Sequence, residues 1–139
     1  MLIEQPPIFY RILYPNAVWR LRVPDQKTIY LTFDDGPIPE VTPWVLSILD
    51  KYNVKATFFC VGDNVRKYSY IYDQLIVKGH RTGNHTFHHL QGWLNSAGKF
   101  LEDTREAKEL IDSQLFRPPH GHMIFPQPGL LKKNGYNII

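Results

Sequence analysis

Apolar and polar positions in this chain follow two patterns: short continuous apolar runs, and longer segments in which apolar residues recur with helical spacing. The apolar runs predict β-strands at 28–34, 55–62, 80–85, 115–117 and 136–139. The helical spacing predicts α-helices at 43–52, from Ser69 to Gly79, at 97–113 and at 128–134. Strands that alternate with helices in this way predict parallel βα units and an α/β fold.

Residues at the ends of the predicted helices support these boundaries. Thr42 and Pro43 suit the N-cap and the first helical position of the helix at 43–52. Ser69 suits the cap of the next helix, and Gly79 and Gly135 are interpreted as helix stops. The chain is therefore expected to divide into regular elements with short connections.

The helix at 97–113 carries both apolar and charged positions. Its apolar face is formed by Phe100, Thr104, Ala107 and Ile111. The charged residues of this helix are interpreted as a solvated face: Glu102, Asp103, Arg105, Glu106, Lys108 and Glu109. Residues 1–27, rich in proline and aromatic residues, predict a short helix or irregular arm laid over a domain at 28–139.

Composition bounds the classes of protein that remain. The 139 residues are 43% hydrophobic and 14% aromatic, which predicts one folded domain. The net charge of +3 is scattered without a dense basic run, so we expect no nucleic-acid partner. No segment has the apolar length of a membrane span or the pattern of a secretory signal, which predicts a cytoplasmic location for the chain as written. Cys60 lies in an apolar run and is expected in the core.

Two adjacent carboxylates, Asp34 and Asp35, follow the first apolar run and precede a Gly-Pro turn. Like charges this close oppose joint ionisation, so such a pair is favoured where a cation or a catalytic step uses it. Neighbouring strand residues point to opposite sides, which allows one acid to bind a metal while the other handles a proton. For the dipeptide alone, a solvated Asp-Asp turn is the simpler interpretation.

Three of the six histidines lie at positions 85, 88 and 89. His85 and His89 are four residues apart, so one helical turn would place both imidazoles on one face. Together with a carboxylate they form an Asp/His/His set that suits zinc with a coordination position left open. Histidines at this spacing are more often core or surface residues. The Asp-Asp pair upstream makes a metal site the better explanation here.

The carboxyl ends of parallel strands meet at one face of the fold, where loops build active sites. Asp34 and Asp35 end the first predicted strand, His85 and His89 follow the third, and Arg117 leaves the fourth. We therefore expect all five side chains to reach the same mouth. Trp93 either shields this region or fills the core.

Three ordered motifs resemble those of the polysaccharide deacetylase (NodB-homology) carbohydrate esterases. They are Thr-Phe-Asp-Asp-Gly-Pro at 32–37, His-Thr-Phe-His-His at 85–89 and Arg-Pro-Pro at 117–119. The resemblance covers roughly residues 8–139. It implies a distorted (β/α) barrel, of which about five βα units are present here, and the hydrolysis of acetyl groups on sugars such as N-acetylglucosamine polymers.

The same resemblance implies a role for each site residue. Asp35, His85 and His89 would hold Zn²⁺ or another divalent transition metal, and Asp34 would be the general base. Arg117 would orient that base, and the backbone N–H of His120 would bind the oxyanion. The family usually has an aromatic residue, often tyrosine, at the position of His120. His88 is expected to be exposed or to support the metal ligands.

Later family motifs, one with Asp and Trp and one with Leu-x-His, have no counterpart before Ile139. The histidine that acts as general acid in the family is therefore unassigned here. We expect an unpaired strand edge at Tyr136–Ile139, which would favour self-association. Two functions remain, a metal-dependent carbohydrate deacetylase and a catalytically impaired metal- or glycan-binding fragment. A purely structural zinc site fits less well, because such sites are usually four-coordinate.

Overall fold

The structure is a computed structural model that describes residues 8–15, 17–21 and 27–139. Its helices are α1 (Ile8–Leu13), α2 (Val41–Lys51), α3 (Gly62–Lys67), α4 (Ser69–Val77), α5 (Ala97–Lys108) and α6 (Gln127–Lys133). Its strands are β1 (Thr32–Gly36), β2 (Thr57–Cys60), β3 (Arg81–Asn84), β4 (Leu115–Phe116) and β5 (Asn137–Ile138). No helix in the described residues is long and apolar enough to cross a membrane.

The five strands form one parallel sheet in the order β1-β2-β3-β4-β5. Each strand therefore pairs with its neighbour in sequence, and every βα crossover advances in one direction. This order is that of a (β/α) barrel and differs from a doubly wound sheet, in which the order reverses. The predicted α/β class and incomplete barrel are confirmed.

The sheet is strongly curved, as a contact between its first and fourth strands demonstrates. Arg117, which directly follows β4, places its Nη1 atom 2.8 Å from Thr32 Oγ1 on β1. In a flat sheet these two strands would lie about 14 Å apart, at roughly 4.8 Å per strand. One arginine side chain does not reach across that gap. The curvature therefore brings the carboxyl ends of non-neighbouring strands around one mouth.

The first strand begins later than predicted. Thr28–Leu31 was expected to be buried strand, but Ile29 and Tyr30 are exposed and β1 starts at Thr32. Pairing with β2 explains the boundary, because the first ladder partners are Thr32 and Thr57. Leu31 O still accepts a 3.0 Å hydrogen bond from Thr57 N, but Ile29 and Tyr30 lie outside this ladder. The apolar run thus correctly indicated a strand but misplaced its start.

Two predicted helix N-caps are wrong, whereas the two predicted glycine stops agree with the structure. Helix α2 begins at Val41, so Thr42 lies inside it and is not the N-cap. Thr42 Oγ1 accepts a 2.8 Å hydrogen bond from Ile38 N and closes the preceding turn. Ser69 is the first residue of α4 and does not cap it, since the N-cap position is Tyr68. Gly79 and Gly135 adopt φ of +75° and +84° just after α4 and α6, as expected of helix stops.

Two differences concern helix lengths. Helix α3 was not predicted because its six residues are too short for helical periodicity to be recognised. Helix α5 ends at Lys108 instead of 113. Past that point Ser113 Oγ donates to Thr82 O and accepts from Leu115 N, so it links the segment to β3 and starts β4. A tertiary contact therefore ends the helix where no glycine or proline does.

The core divides into two apolar clusters of buried side chains. One joins α2, β2, α3 and α4 and includes Leu46, Phe58, Cys60 and Leu75. The other joins α5, β4, α6 and β5 and includes Phe100, Phe116, Leu131, Tyr136 and Ile138. Burial raises the pKa of the Cys60 thiol to about 12, which fits the expected core residue and not a nucleophile.

The edge beyond β5 is partly paired, which corrects the prediction of an unpaired edge at Tyr136–Ile139. Ala17 forms a parallel bridge with Ile138, and Val18 N donates a 2.7 Å hydrogen bond to Ile138 O. Asn137 N and Ile139 N both donate toward β4. Because backbone groups of successive strand residues point to opposite edges, Ile138 O faces away from β4 and can accept from Val18 N. The N-terminal arm thus does pack on the core where it is described; predicted residues 1–7, 16 and 22–26 lie outside the described part.

Candidate metal and catalytic site

Asp35, His85 and His89 meet at the carboxyl end of the sheet, as the sequence predicted. Asp35 Oδ1 lies 3.3 Å from His85 Nε2 and 3.0 Å from His89 Nε2. Asp35 belongs to β1, whereas the two histidines follow β3. The three ligand-type atoms therefore converge from two strands on one point.

A bulge in β1 aims Asp35 at the histidines. Between the pairs Phe33–Phe58 and Gly36–Cys60, β1 contains one residue more than β2. Asp35 adopts φ of +67° there, and Asn64 Nδ2 holds its carbonyl oxygen at 2.8 Å. Bulges redirect side chains next to active sites, and a left-handed aspartate persists only where its surroundings fix it. The sequence analysis did not identify Asn64, which lies on the unpredicted helix α3.

His85 is almost fully buried and is held in one tautomer. Its Nδ1 atom lies 2.7 Å from the carbonyl oxygen of Arg117. Since a carbonyl oxygen only accepts, Nδ1 carries the proton and Nε2 keeps its lone pair toward Asp35. Burial lowers the pKa of His85 below its ordinary value, and the Arg117 carbonyl opposes this only in part. The buried imidazole is therefore neutral near pH 7, the form that binds metals.

The segment that joins His85 and His89 is a loop, which corrects the predicted helical turn. Thr86 and His89 adopt left-handed φ of +64° and +55°, incompatible with a right-handed helix. The imidazoles still lie together, with ring centroids 5.1 Å apart. The four-residue spacing cannot distinguish a loop from a helical turn, because both can bring His85 and His89 to the same side.

Helix α5 supports this loop through Asp103, which was wrongly expected on a solvated face. Asp103 is only 6% exposed, and its Oδ2 accepts hydrogen bonds from Phe87 N at 2.8 Å and His88 N at 3.0 Å. A signal for its burial was available in the sequence. Asp103 lies three residues after Phe100 and four before Ala107, and therefore on the apolar face of the helix.

Asp34 has a different set of partners from Asp35. Arg117 Nη1 donates to Asp34 Oδ1 at 2.9 Å and to Thr32 Oγ1 at 2.8 Å. The guanidinium also lies over the Phe59 ring, 4.2 Å from its centroid. Arg117 is therefore fixed on three sides and presents its charge to Asp34, in line with the predicted pairing.

His120 and Trp93 complete the surroundings of the site. His120 is exposed, has a left-handed φ of +58°, and packs its ring 4.8 Å from that of His89. Trp93 is 53% exposed and stacks on His122 with ring centroids 4.1 Å apart, so it does not fill the core. His88 is exposed as expected, and its Nδ1 lies 2.6 Å from Asp103 Oδ1.

These residues line one open cavity of about 970 Å³. Its wall includes Asp34, Asp35, His85, His89, Arg117 and His120, together with Tyr14, Ala17, Val18 and Trp19 from the N-terminal arm. All six residues predicted for the site therefore border the same space. A cavity of this size accommodates a ligand as large as an oligosaccharide unit.

The donor atoms fit a divalent transition metal. Atoms that ligate one tetrahedral zinc ion at about 2.0–2.1 Å lie about 3.3 Å from one another. The distances of 3.3 and 3.0 Å from Asp35 Oδ1 to the two Nε2 atoms match this separation. The hydrogen bond from His85 Nδ1 to a carbonyl oxygen is the kind of support that metal-ligating histidines have.

Comparison with protein families gives one match that covers most of the chain. Residues 22–139 match the family model described as polysaccharide deacetylase. The chain belongs to the polysaccharide deacetylase family. The family model begins at residue 22, whereas the predicted boundary between arm and domain lies at 27/28; that boundary stays a prediction.

Several curated and solved relatives of this deacetylase-family chain are bacterial deacetylases. It is 36% identical over 133 residues to a peptidoglycan-N-acetylglucosamine deacetylase of Bacillus cereus, over 91% of this chain and 62% of the relative. The solved structure of the peptidoglycan deacetylase PdaC from Bacillus subtilis superposes with a TM-score of 0.77 at 31% identity, over 85% of this chain and 60% of PdaC. The chain thus spans less than two thirds of these relatives.

Another solved structure shows that the fold also occurs without activity. It is a mutant of BA3943, described as a CE4 family pseudoenzyme, and it superposes with a TM-score of 0.72 at 26% identity. The match covers 84% of this chain and 45% of that protein. Family membership establishes the fold and the descent of the chain, whereas activity depends on its own residues.

Proposed function

We propose that this chain is a metal-dependent carbohydrate deacetylase, which hydrolyses acetyl groups on N-acetylglucosamine-containing polymers. The observation that carries the proposal is the convergence of Asp35, His85 and His89 beside the Asp34–Arg117 pair in one open cavity. The names of the bacterial relatives, which are peptidoglycan deacetylases, support a glycan substrate.

Asp35, His85 and His89 hold the metal in this proposal, with zinc as the first candidate and cobalt, nickel or iron as alternatives. When bound, such an ion polarises the acetyl carbonyl group and lowers the pKa of water to about 7. Neutral His85 and the carboxylate of Asp35 supply its ligand atoms. His89 supplies the third ligand from the other end of the loop.

Asp34 is the proposed general base, and Arg117 keeps it in place. The Asp34 carboxylate takes a proton from the attacking water, whose oxygen then bonds to the acetyl carbon. The bond between the acetyl carbon and the sugar nitrogen then breaks, the nitrogen takes up a proton from solvent and leaves as the amine, and acetate is released. Arg117 orients the Asp34 oxygen through the 2.9 Å contact. The backbone N–H of His120 donates to the oxyanion that develops on the acetyl oxygen.

Acetate release tests this proposal. We expect the chain, supplied with zinc, to release acetate from N-acetylglucosamine oligomers, and Asp34→Asn to lower the rate by about 10²–10⁴-fold, the usual contribution of a general base. Asp112→Asn removes the same charge from an exposed position outside the site and is the matched control. Equal rates for Asp34→Asn and the parent chain would contradict the assignment.

A second candidate function is binding of a metal and a glycan without turnover. It is favoured by the structural similarity to a protein described as a CE4 family pseudoenzyme. Metal binding that depends on Asp35, combined with no acetate release at any metal tested, would favour this second function over the first.

A further inference from the structure

The loop at 85–89 is joined to helix α5 by a single buried carboxylate. Asp103 Oδ2 accepts from Phe87 N at 2.8 Å and His88 N at 3.0 Å, while Oδ1 lies 2.6 Å from His88 Nδ1. Asp103 is 6% exposed, so these contacts replace the water it would otherwise bind. Its charge is therefore directed entirely into the segment between the two histidines of the metal site.

This segment has a strained backbone that needs such support. Thr86 and His89 both have left-handed φ angles, and Thr86 is β-branched, which makes this conformation especially unfavourable. A residue held in this region costs about 1–3 kcal/mol and persists only when neighbouring contacts fix it. Two successive N–H groups, at Phe87 and His88, would also lack these acceptor contacts without the carboxylate.

The remaining backbone hydrogen bonds of residues 86–88 involve neutral groups and act mainly on Thr86. Thr86 N donates to Asn84 Oδ1 at 2.8 Å, and Gly62 N donates to Thr86 O at 3.0 Å. Asp63 N donates to Phe87 O at 3.0 Å from the other side. Asp103 thus provides the charge-assisted contacts, and these are stronger than bonds between neutral groups.

We propose that Asp103 is a positioning residue, which holds the 85–89 loop in the conformation that brings His85 and His89 to Asp35. The inference rests on the metal site of the proposed function. Asp103 itself touches neither Asp35 nor the ligand nitrogens in the described contacts. His88, Asp103 and Glu106 also form a compact group of ligand-type atoms, but the Asp103 oxygens already accept bonds from the loop.

Cobalt binding by the whole chain tests this role without any need for activity. Co²⁺ is titrated into the parent chain and Asp103→Asn, and the visible d–d absorption gives both the affinity and the ligand geometry. We expect Asp103→Asn to weaken binding about 10–100-fold, as is usual for residues that support metal ligands, and to alter the d–d bands. Asparagine is neutral, so it cannot form charge-assisted hydrogen bonds with Phe87 N, His88 N and His88 Nδ1 as the carboxylate does.

Glu102→Gln is the matched control, because it removes the same charge from an exposed residue of α5 that lies outside the group of His88, Asp103 and Glu106. We expect it to bind Co²⁺ as the parent chain does. Loss of binding in Glu102→Gln equal to that in Asp103→Asn would overturn the inference in favour of a general effect of helix charge. Equal affinity and spectrum in Asp103→Asn and the parent chain would overturn it directly.

His88→Ala keeps the test decisive if Asp103→Asn does not fold. It removes one of the three groups that Asp103 binds, leaves the buried carboxylate in place, and is expected to weaken Co²⁺ binding while the melting temperature is kept. Unchanged Co²⁺ affinity in a folded His88→Ala chain would then overturn the inference. If the parent chain itself binds no Co²⁺, the proposed metal site is wrong and the inference fails with it. If the parent chain binds Co²⁺ and the variants bind it equally well, the inference fails but the metal site stands.

Discussion

Asp34 and Asp35 are adjacent in the chain but lie in different electrostatic surroundings. Asp34 faces the guanidinium of Arg117, and Asp35 faces the Nε2 atoms of two imidazoles. The bulge in β1 makes this separation possible, since it rotates Asp35 out of the regular alternation. Arg117 thus offsets the charge of Asp34, whereas Asp35 faces ligand-type nitrogen atoms, an arrangement that suits a cation between them.

His80 lies outside the site and is expected to make the stability of the protein depend on pH. Its Nδ1 accepts a 3.2 Å hydrogen bond from Ala56 N, so the imidazole must be neutral at that atom. Burial lowers the pKa of His80, the positive charges of Lys55 and Lys78 add to this effect, and Asp50 opposes it. The folded chain therefore binds this proton less readily than the unfolded chain does.

As the pH falls through about 6.5, the ordinary histidine pKa, the unfolded state gains a proton at His80 that the folded state resists. The free energy of unfolding should therefore decrease between about pH 7 and about pH 5. His80→Asn, whose Oδ1 can replace the Nδ1 acceptor, should make this decrease smaller. Urea unfolding at about pH 7 and about pH 5 measures the decrease in each protein. His85, with its own lowered pKa, keeps part of the dependence in the variant. An identical pH dependence in the two proteins would contradict the assignment.

At the scale of elements, the connections after β3 and β4 are joined by Gln127, the first residue of α6. Its Nε2 donates to Gly92 O at 3.0 Å and to Asn95 O at 3.1 Å, and its Oε1 accepts from Ile124 N at 2.9 Å. A Cβ at Gly92 would lie 2.5 Å from His122 O, so only glycine allows this approach. One buried amide thus fixes the loops that carry Trp93 and His122.

Gln127→Leu keeps the volume of this side chain but leaves three backbone groups without the amide. Because each buried unsatisfied group costs about 1–3 kcal/mol, and part of this is recovered by relaxation, we expect a loss of about 2–4 kcal/mol in the free energy of unfolding. Urea denaturation of the two chains gives the difference. Gln74→Leu, on the exposed side of α4, should change stability by no more than about 0.5 kcal/mol. A Gln127→Leu chain as stable as the parent would refute this role.

At the scale of the whole molecule, the contact between the N-terminal arm and β5 protects a strand edge. The bridge from Ala17 and the hydrogen bond from Val18 N occupy Ile138, whose side chain is buried. Tyr14 adds a second link, since its hydroxyl donates to Met123 O at 2.8 Å. Self-association through this edge stays a prediction, and the arm is the part of the molecule that opposes it.

Val18→Pro should increase self-association. Proline has no N–H to donate to Ile138 O, so the β5 edge would lose its 2.7 Å partner and become free to pair with another chain. Sedimentation velocity over a range of protein concentrations would report this as a larger average mass for the variant. Ile29→Pro, at an 86% exposed position outside the helices and strands, is the control for proline itself. A variant that sediments as the parent does would disprove the protective role.

The sequence by itself determined the alternation of strands with the longer helices and the residue types that meet at the candidate site. Strand and helix periodicities are local, so they indicated the alternating βα units and the residues that end each strand. The motifs around Asp35, His85 and Arg117 likewise lie within short segments. The six site residues predicted from these segments all border the same cavity.

Only the tertiary structure decided how those segments meet. Sheet curvature brings Arg117 to Thr32 and Asp34 although two strands lie between β4 and β1, and no local pattern encodes that approach. The left-handed loop between His85 and His89 depends on Asp103, whose burial arises from packing between α5 and the loop. Periodicity reports which side of an element is apolar, whereas long-range contacts decide which polar groups are buried with it and what they hold in place.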